Sequence, residues 1–150
     1  MADPNIDIVI DCADPETLAE FWAEALGYTK AGMFAPYFVL LAPTREHPPV
    51  ILQRVPEPKT TKARIHFDVR VADIETEAKR LEQLGARRID IGQGPDPGWI
   101  AMADPEGNEF CVCPGIPLPP ALEFGDELEV RSRSELVRLL SDSGHGSSAP

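Results

Sequence analysis

The segment Ala63–Glu75, ARIHFDVRVADIE, alternates. Ile65, Phe67, Val69 and Val71 fall on one face, and His66, Asp68 and Arg70 fall on the other. That pattern predicts a strand with one face packed on a core and the other turned to solvent, a partner or a cavity. The stretch after it changes period: Ala78, Leu81 and Leu84 recur at helical spacing and stop at Gly85. The same succession occurs earlier, where Ile6–Cys12 reads as a strand. Leu18, Phe21, Trp22, Ala25 and Leu26 then form a helical stripe that ends at Gly27. Asp14 and Asp73 stand where N-caps belong, Pro15 suits the first helical turn, and Gly27 and Gly85 suit positions of positive φ.

These two stretches are copies. With a shift of 59, Ile6 matches Ile65, Ala13-Asp14 matches Ala72-Asp73, and Glu16, Thr17 and Ala19 match Glu75, Thr76 and Ala78. A shift of 58 then aligns Leu26-Gly27 with Leu84-Gly85. Three short strands are predicted after each helix: Thr29–Met33, Tyr37–Ala42 and Val50–Val55 in the first copy, and Arg87–Ile91, Trp99–Ala103 and Asn108–Cys113 in the second. The predicted unit is βαβββ, present twice and joined by the linker PEPKTTK, Pro56–Lys62. The predicted organisation is one domain over residues 1–116, with module one at 5–57 and module two at 63–115. A proline-rich C-terminal extension follows at 117–141, with a short helix over Ser132–Leu140, and then a disordered tail at 142–150 that contains His145.

Composition narrows the function classes. A net charge of −11 over 150 residues argues against nucleic acid or an anionic membrane as partner. No apolar run is long enough to span a bilayer, and the N-terminus carries no basic region before its apolar stretch, so the expected location is the cytoplasm. The three cysteines, Cys12, Cys111 and Cys113, are odd in number and lack the C-x-x-C spacing, which reads as reduced thiols.

Paired βαβββ modules with the phrases DCADPETLAEFWAEALGY, VPEPKTTKARIHFDVRVAD, LGAR and WIAMADPEGNEFCV resemble the vicinal oxygen chelate superfamily. More narrowly, they resemble its glyoxalase-like or bleomycin-resistance-like proteins, over roughly residues 5–115. The resemblance implies an α+β fold in which the strands of both modules form a curved mixed sheet around a cup, the glyoxalase/bleomycin resistance fold. It also implies a homodimer. Many members hold a divalent metal on four positions, one on the first and one on the last strand of each module, usually histidine, glutamate or glutamine. Mapped by the repeat, those positions are Asp7, His66, Gln53 and Cys111. Only His66 and Gln53 match the usual ligand types. The site is therefore read as lacking the usual metal, with a divalent ion on His66 and Gln53 as the alternative.

Each candidate has two readings. His66 is a ligand or acid–base group facing the cup, or a histidine hydrogen-bonded to Asp7. Arg70, on the face of Asp68, clamps an anionic substrate group or pairs with Asp11 or Asp68. Trp99, after the Gly/Pro-rich loop Gly92–Gly98, stacks on a flat ligand or is core. Cys111 is a nucleophile paired with His66 or a small buried hydrophobe. The resulting expectation is a protein that binds a small molecule through Asp7, Gln53, His66, Asp68, Arg70, Trp99 and Cys111. The alternative is a metal-dependent or acid–base lyase, isomerase or dioxygenase with His66 as its catalytic group.

Overall fold

The computed structural model describes residues 5–115, so the extension at 117–141, its short helix and the tail lie outside the described residues. The first module runs β1 (Ile8–Cys12), α1 (Pro15–Leu26), β2 (Thr29–Phe34), β3 (Tyr37–Leu41) and β4 (Val50–Arg54). The second runs β5 (Phe67–Val71), α2 (Ile74–Gln83), β6 (Arg87–Arg88), β7 (Ile100–Ala103) and β8 (Glu109–Pro114). The fold is α+β. Each module folds its strands into one four-stranded mixed sheet, ordered β1-β4-β3-β2 and β5-β8-β7-β6. The first and last strands of each module pair in parallel, and the other pairs are antiparallel. β1 and β5 are thus edge strands, and among the described residues no ladder joins the sheets. No helix of the described residues is long and apolar enough to cross a membrane.

The helix starts follow from local chemistry repeated in both modules. Asp14 accepts from the Thr17 N–H at 3.2 Å and the Thr17 hydroxyl at 2.6 Å. Asp73 accepts from the N–H groups of Glu75 and Thr76, both at 3.1 Å, and from the Thr76 hydroxyl at 2.8 Å. Gly27 ends α1 with φ 67°, a left-handed conformation that only glycine adopts without strain. The hydrogen bonds hold both capping carboxyls below the usual carboxylate range: for Asp14 the Thr17 hydroxyl contributes most, for Asp73 the Thr76 N–H. A carboxyl depressed by folding stabilises the fold above its unfolded pKa, and that contribution is lost as pH falls through the folded pKa. Melting temperature is therefore expected to fall with acidification below about pH 4. The Asp14→Asn/Asp73→Asn double variant should show a flatter melting profile between about pH 6 and pH 2. A slope equal to that of the wild type would remove the caps from this account.

One core serves both modules. The buried face of α1 carries Leu18, Phe21, Trp22 and Ala25, and it joins Leu40, Val50 and Leu52 of its own sheet with Phe110 and Val112 of the other. Trp22 stands edge-on to Phe67 at 5.5 Å and to Phe110 at 5.2 Å between ring centroids. Arg80 of α2 donates to the carbonyls of Glu24 and Ala25 at 3.2 and 3.0 Å, placing a cation at the C-terminal end of α1.

Three expectations change. Ile65 does not share the core face of Phe67, Val69 and Val71; it precedes β5 and is 85% exposed. The ladder opens at Phe67–Phe110, so the residue that would face Ile65 belongs to the turn before β8. β6 is two residues long rather than five, although the Ile89 N–H still reaches the Ala101 carbonyl at 3.0 Å. The repeat register also shifts. The ladders pair Asp11 with Gln53 and Arg70 with Cys113, so last strands correspond by a shift of 60. Gln53 is the counterpart of Cys113, and Cys111 is the counterpart of Ile51.

Candidate functional site

A cavity of about 860 Å³ lies between the two edge strands, within the size range of small-molecule sites. One wall is Asp7–Ala13, the opposite wall is Ile65–Phe67 with Asn108 and Glu109, and the linker residues Glu57–Thr61 form a third. Trp22 reaches it from α1 and Glu106 from the turn before β8. The linker is thus part of the site, which its composition did not signal.

Hydrogen bonds from both modules hold the walls in place. The Glu106 carboxylate accepts from the N–H groups of Ala13 and Asp14 at 2.6 and 3.0 Å, pinning the end of β1 to the second module. Arg54 donates to the Ala13 carbonyl at 2.7 Å. Glu109 accepts from Lys59 at 2.8 Å and from the Ala63 N–H at 3.0 Å, fastening the linker to β8. Burial alone would raise the Glu109 carboxyl, but these two donors hold it below its ordinary range.

The lining is acidic. Asp7, Asp11, Glu57, Glu106 and Glu109 face one lysine, Lys59, and that lysine is already matched by Glu109. Apolar surface from Val9, Ile10, Val55, Ile65 and Phe67 completes it. Cys12 also lines the cavity, but burial, with Glu106 next in weight, pushes its thiol up to about 12, so it is not a nucleophile at neutral pH.

A second constellation adjoins the first at His66. The ligand atoms of His66, Asp68 and Cys111 lie within 4.8 Å of one another. Register explains the meeting: Asp68 and Cys111 are ladder partners, and His66 precedes Asp68 by two residues on the same face. His66 Nε2 is 3.5 Å from Asp68 Oδ1, and Arg70 lies 3.7 Å from Asp68 Oδ2. Trp99 packs with Ile89 and Ile91 against Ala101, Cys111 and Cys113, forming an apolar patch beside the cluster.

The candidate residues therefore divide. Asp7 and His66 line the cavity. His66, Asp68 and Cys111 cluster, with Arg70 against Asp68 and Trp99 packed on the group formed by Ala101, Cys111 and Cys113. Gln53 stands in the other sheet, on β4 between Asp11 of β1 and Tyr37 of β3, and it is not a cavity-lining residue. The cluster partners of His66 are thus Asp68 and Cys111 rather than Gln53. Glu106 and Lys59 were missed. Glu106 sits in the DPEGN turn, where proline and glycine signal a turn and not a wall.

The fold and its paired modules match the glyoxalase-like domain family over residues 7–113. The chain belongs to this family, within the vicinal oxygen chelate superfamily. Solved structures of low identity share the fold. Fosfomycin resistance protein FosX from Mesorhizobium loti is 16% identical with a TM-score of 0.58, the match covering 77% of this chain and 94% of that one. A glyoxalase/bleomycin resistance protein/dioxygenase family enzyme from Burkholderia phytofirmans PsJN is 14% identical with a TM-score of 0.56, covering 71% and 94%. The bleomycin-binding protein of Streptomyces verticillus, solved with copper(II)-bleomycin, is 16% identical with a TM-score of 0.52, covering 77% and 99%. No curated protein matches the chain by sequence.

The metal positions that the family implies do not converge in this glyoxalase-like chain. Asp7 lies outside the His66 cluster, Gln53 belongs to the other sheet, and the last-strand position holds a thiol. The residues do not fit an oxygen-rich site for a hard divalent ion.

Proposed function

We propose that this protein binds a small cationic molecule with an apolar body in the cavity between β1 and β5, without the usual complete metal site of its family. The observation that supports this reading most is the acidic lining, whose one lysine is already neutralised. A carboxylate or phosphonate ligand would find repulsion there, whereas an amine or guanidinium beside an aromatic or aliphatic body would meet the carboxylates of Asp7 and Asp11 along the β1 wall and apolar surface of Ile65 and Phe67 on the β5 side. Binding of this kind suits a cytoplasmic capture protein. The test is a matched series on one aromatic scaffold bearing an amine, a hydroxyl or a carboxylate, followed by thermal shift and calorimetry. The amine should bind, and Asp7→Asn/Asp11→Asn should weaken it about tenfold, the loss of roughly 1.4 kcal/mol expected for two partly exposed charges. Equal or tighter binding of the carboxylate would overturn the assignment.

A homodimer is part of the proposal. It is supported by the sheet edges left unpaired among the described residues, β1, β2, β5 and β6, and by exposed apolar residues outside the cavity lining, Ile6, Phe34 and Leu41. Light scattering after gel filtration checks it, and a monomer at all concentrations would remove it. The 3.5 Å approach of His66 to Asp68 supports a second reading, an acid–base lyase or isomerase in which Asp68 orients the His66 ring. Turnover abolished in His66→Ala with ligand binding retained would favour it.

A further inference from the structure

We propose that Glu109 is the ammonium-binding group of the cavity and that Lys59 is its built-in occupant, which an incoming cationic ligand displaces. The inference rests on the capture reading and adds to it which carboxylate selects the ligand and what controls its entry. The five lining carboxylates are not equivalent. Asp7, Asp11 and Glu57 are exposed, so water screens them. Glu106 is half-buried, but its two oxygens accept from the Ala13 and Asp14 N–H groups. Glu109 remains. Its side chain is 13% exposed and it already holds an ammonium, with Lys59 Nζ 2.8 Å from Oε1. A carboxylate shielded to this degree separates a cation from a neutral group better than one in open water.

Lys59 is placed to leave. It stands on the linker, and among the described residues no backbone-to-backbone hydrogen bond ties the linker to either sheet between Val55 and Ala63. Lys59 also donates to the Thr61 carbonyl, a bond that stays within the linker. The Lys59–Glu109 pair is thus the one side-chain bond from Pro56–Lys62 to a sheet among the described residues. Exchange keeps the charges balanced. One ammonium leaves as another arrives, so the half-buried carboxylate is never unpaired; a neutral or anionic molecule cannot replace Lys59 without leaving it so. The same step unties the linker, which forms the third wall, so the ligand releases the wall that closes on it. A tethered competitor lowers apparent affinity in proportion to the fraction of sites it occupies.

The experiment titrates phenethylamine, with phenethyl alcohol as the neutral control, into the full chain and its variants by calorimetry. Lys59→Met should tighten the amine about fivefold, the order expected for releasing a partly exposed ion pair. Glu109→Gln should weaken it roughly tenfold and leave the alcohol unchanged. In Lys59→Met/Glu109→Gln the gain from Lys59→Met should vanish, because the carboxylate it competes for is gone; a gain from overall cavity charge would persist there. Lys62→Met, on the same linker but outside the cavity lining, should change nothing. Hydrogen exchange supplies a second readout: linker amides should exchange faster in Lys59→Met, and faster in the wild type once the amine is bound. If Glu109→Gln does not fold, Lys59→Met against Lys62→Met carries the decision. Amine binding unchanged or weaker in Lys59→Met, equal gains in Lys59→Met and Lys62→Met, a gain surviving in the double variant, or linker amides protected by the amine would overturn this inference and leave the capture reading standing. No amine binding to either the wild type or Lys59→Met would overturn both.

Discussion

Replacing Trp22 with alanine is expected to cost about 3–5 kcal/mol of stability, the range for truncating a buried aromatic. Its ring is 1% exposed and stands edge-on to Phe67 and Phe110 of the second module, with Phe21 at 5.1 Å beside it. Deletion opens a void at the junction of both sheets and removes the donor to Asp104 at 3.0 Å. A melting temperature lowered by on the order of 10–20 °C is the expected readout for a domain of this size. Trp22→Phe keeps most of the apolar volume and loses the hydrogen bond, so it should cost less than half as much. Equal loss in the two variants would mean that the indole N–H, and not the packing, holds the modules together.

Asp104→Ala is expected to destabilise by about 2–4 kcal/mol although it removes a charge. Asp104 is fully buried and accepts from four donors: the N–H groups of Glu106 and Asn108, both at 2.9 Å, the Asn108 side chain at 2.9 Å and Trp22 at 3.0 Å. Alanine leaves all four without their acceptor, at the cost of an unmade hydrogen bond for each donor that water does not reach. Burial pushes the Asp104 carboxyl above its ordinary range, while its four donors pull the other way. The sign is opposite to that of the helix caps: a carboxyl raised by folding favours the fold most below its unfolded pKa, and that contribution declines as pH rises through the folded one. The loss should also reach the cavity, because Asp104 shapes the turn that presents Glu106 to the end of β1. A Trp22→Phe/Asp104→Asn cycle followed by urea denaturation should show coupling of about 1 kcal/mol, and strict additivity would argue that the two do not act as a unit.

Asp104 also marks how far pattern reading carries. In ADPEGNEF it reads as an ordinary turn residue, since nothing local distinguishes a solvated aspartate from one sealed under Trp22, 82 residues away in the chain. The neighbouring Glu106 is the same case, because its partners are backbone N–H groups of β1's end and carry no sequence signature. By contrast, Asp14, Asp73 and Gly27 work through contacts within a few residues, so their roles were readable from spacing alone. Alternation, a strictly local rule, also groups His66, Asp68 and Arg70, and His66 and Arg70 both lie against Asp68.

The repeat register at Gln53 was out of reach for a physical reason of the same kind. The offset between repeats is set by loop lengths that differ between modules, and a shift of two residues keeps a side chain on its face while moving it about 7 Å along the strand. Alternation cannot detect that error; only the ladders, pairing Asp11 with Gln53 and Asp68 with Cys111, reveal it. By itself, then, the amino-acid sequence determined the repeated βαβββ units, their caps and, Ile65 apart, the inward and outward faces of β5, because those depend on backbone geometry and near neighbours. The tertiary structure alone decided that β1, β5 and the linker enclose an acidic cavity, and that His66 meets Asp68 and Cys111 beside it. Those relations join residues far apart in the chain, and they are set by how α1 packs on both sheets and not by any local preference.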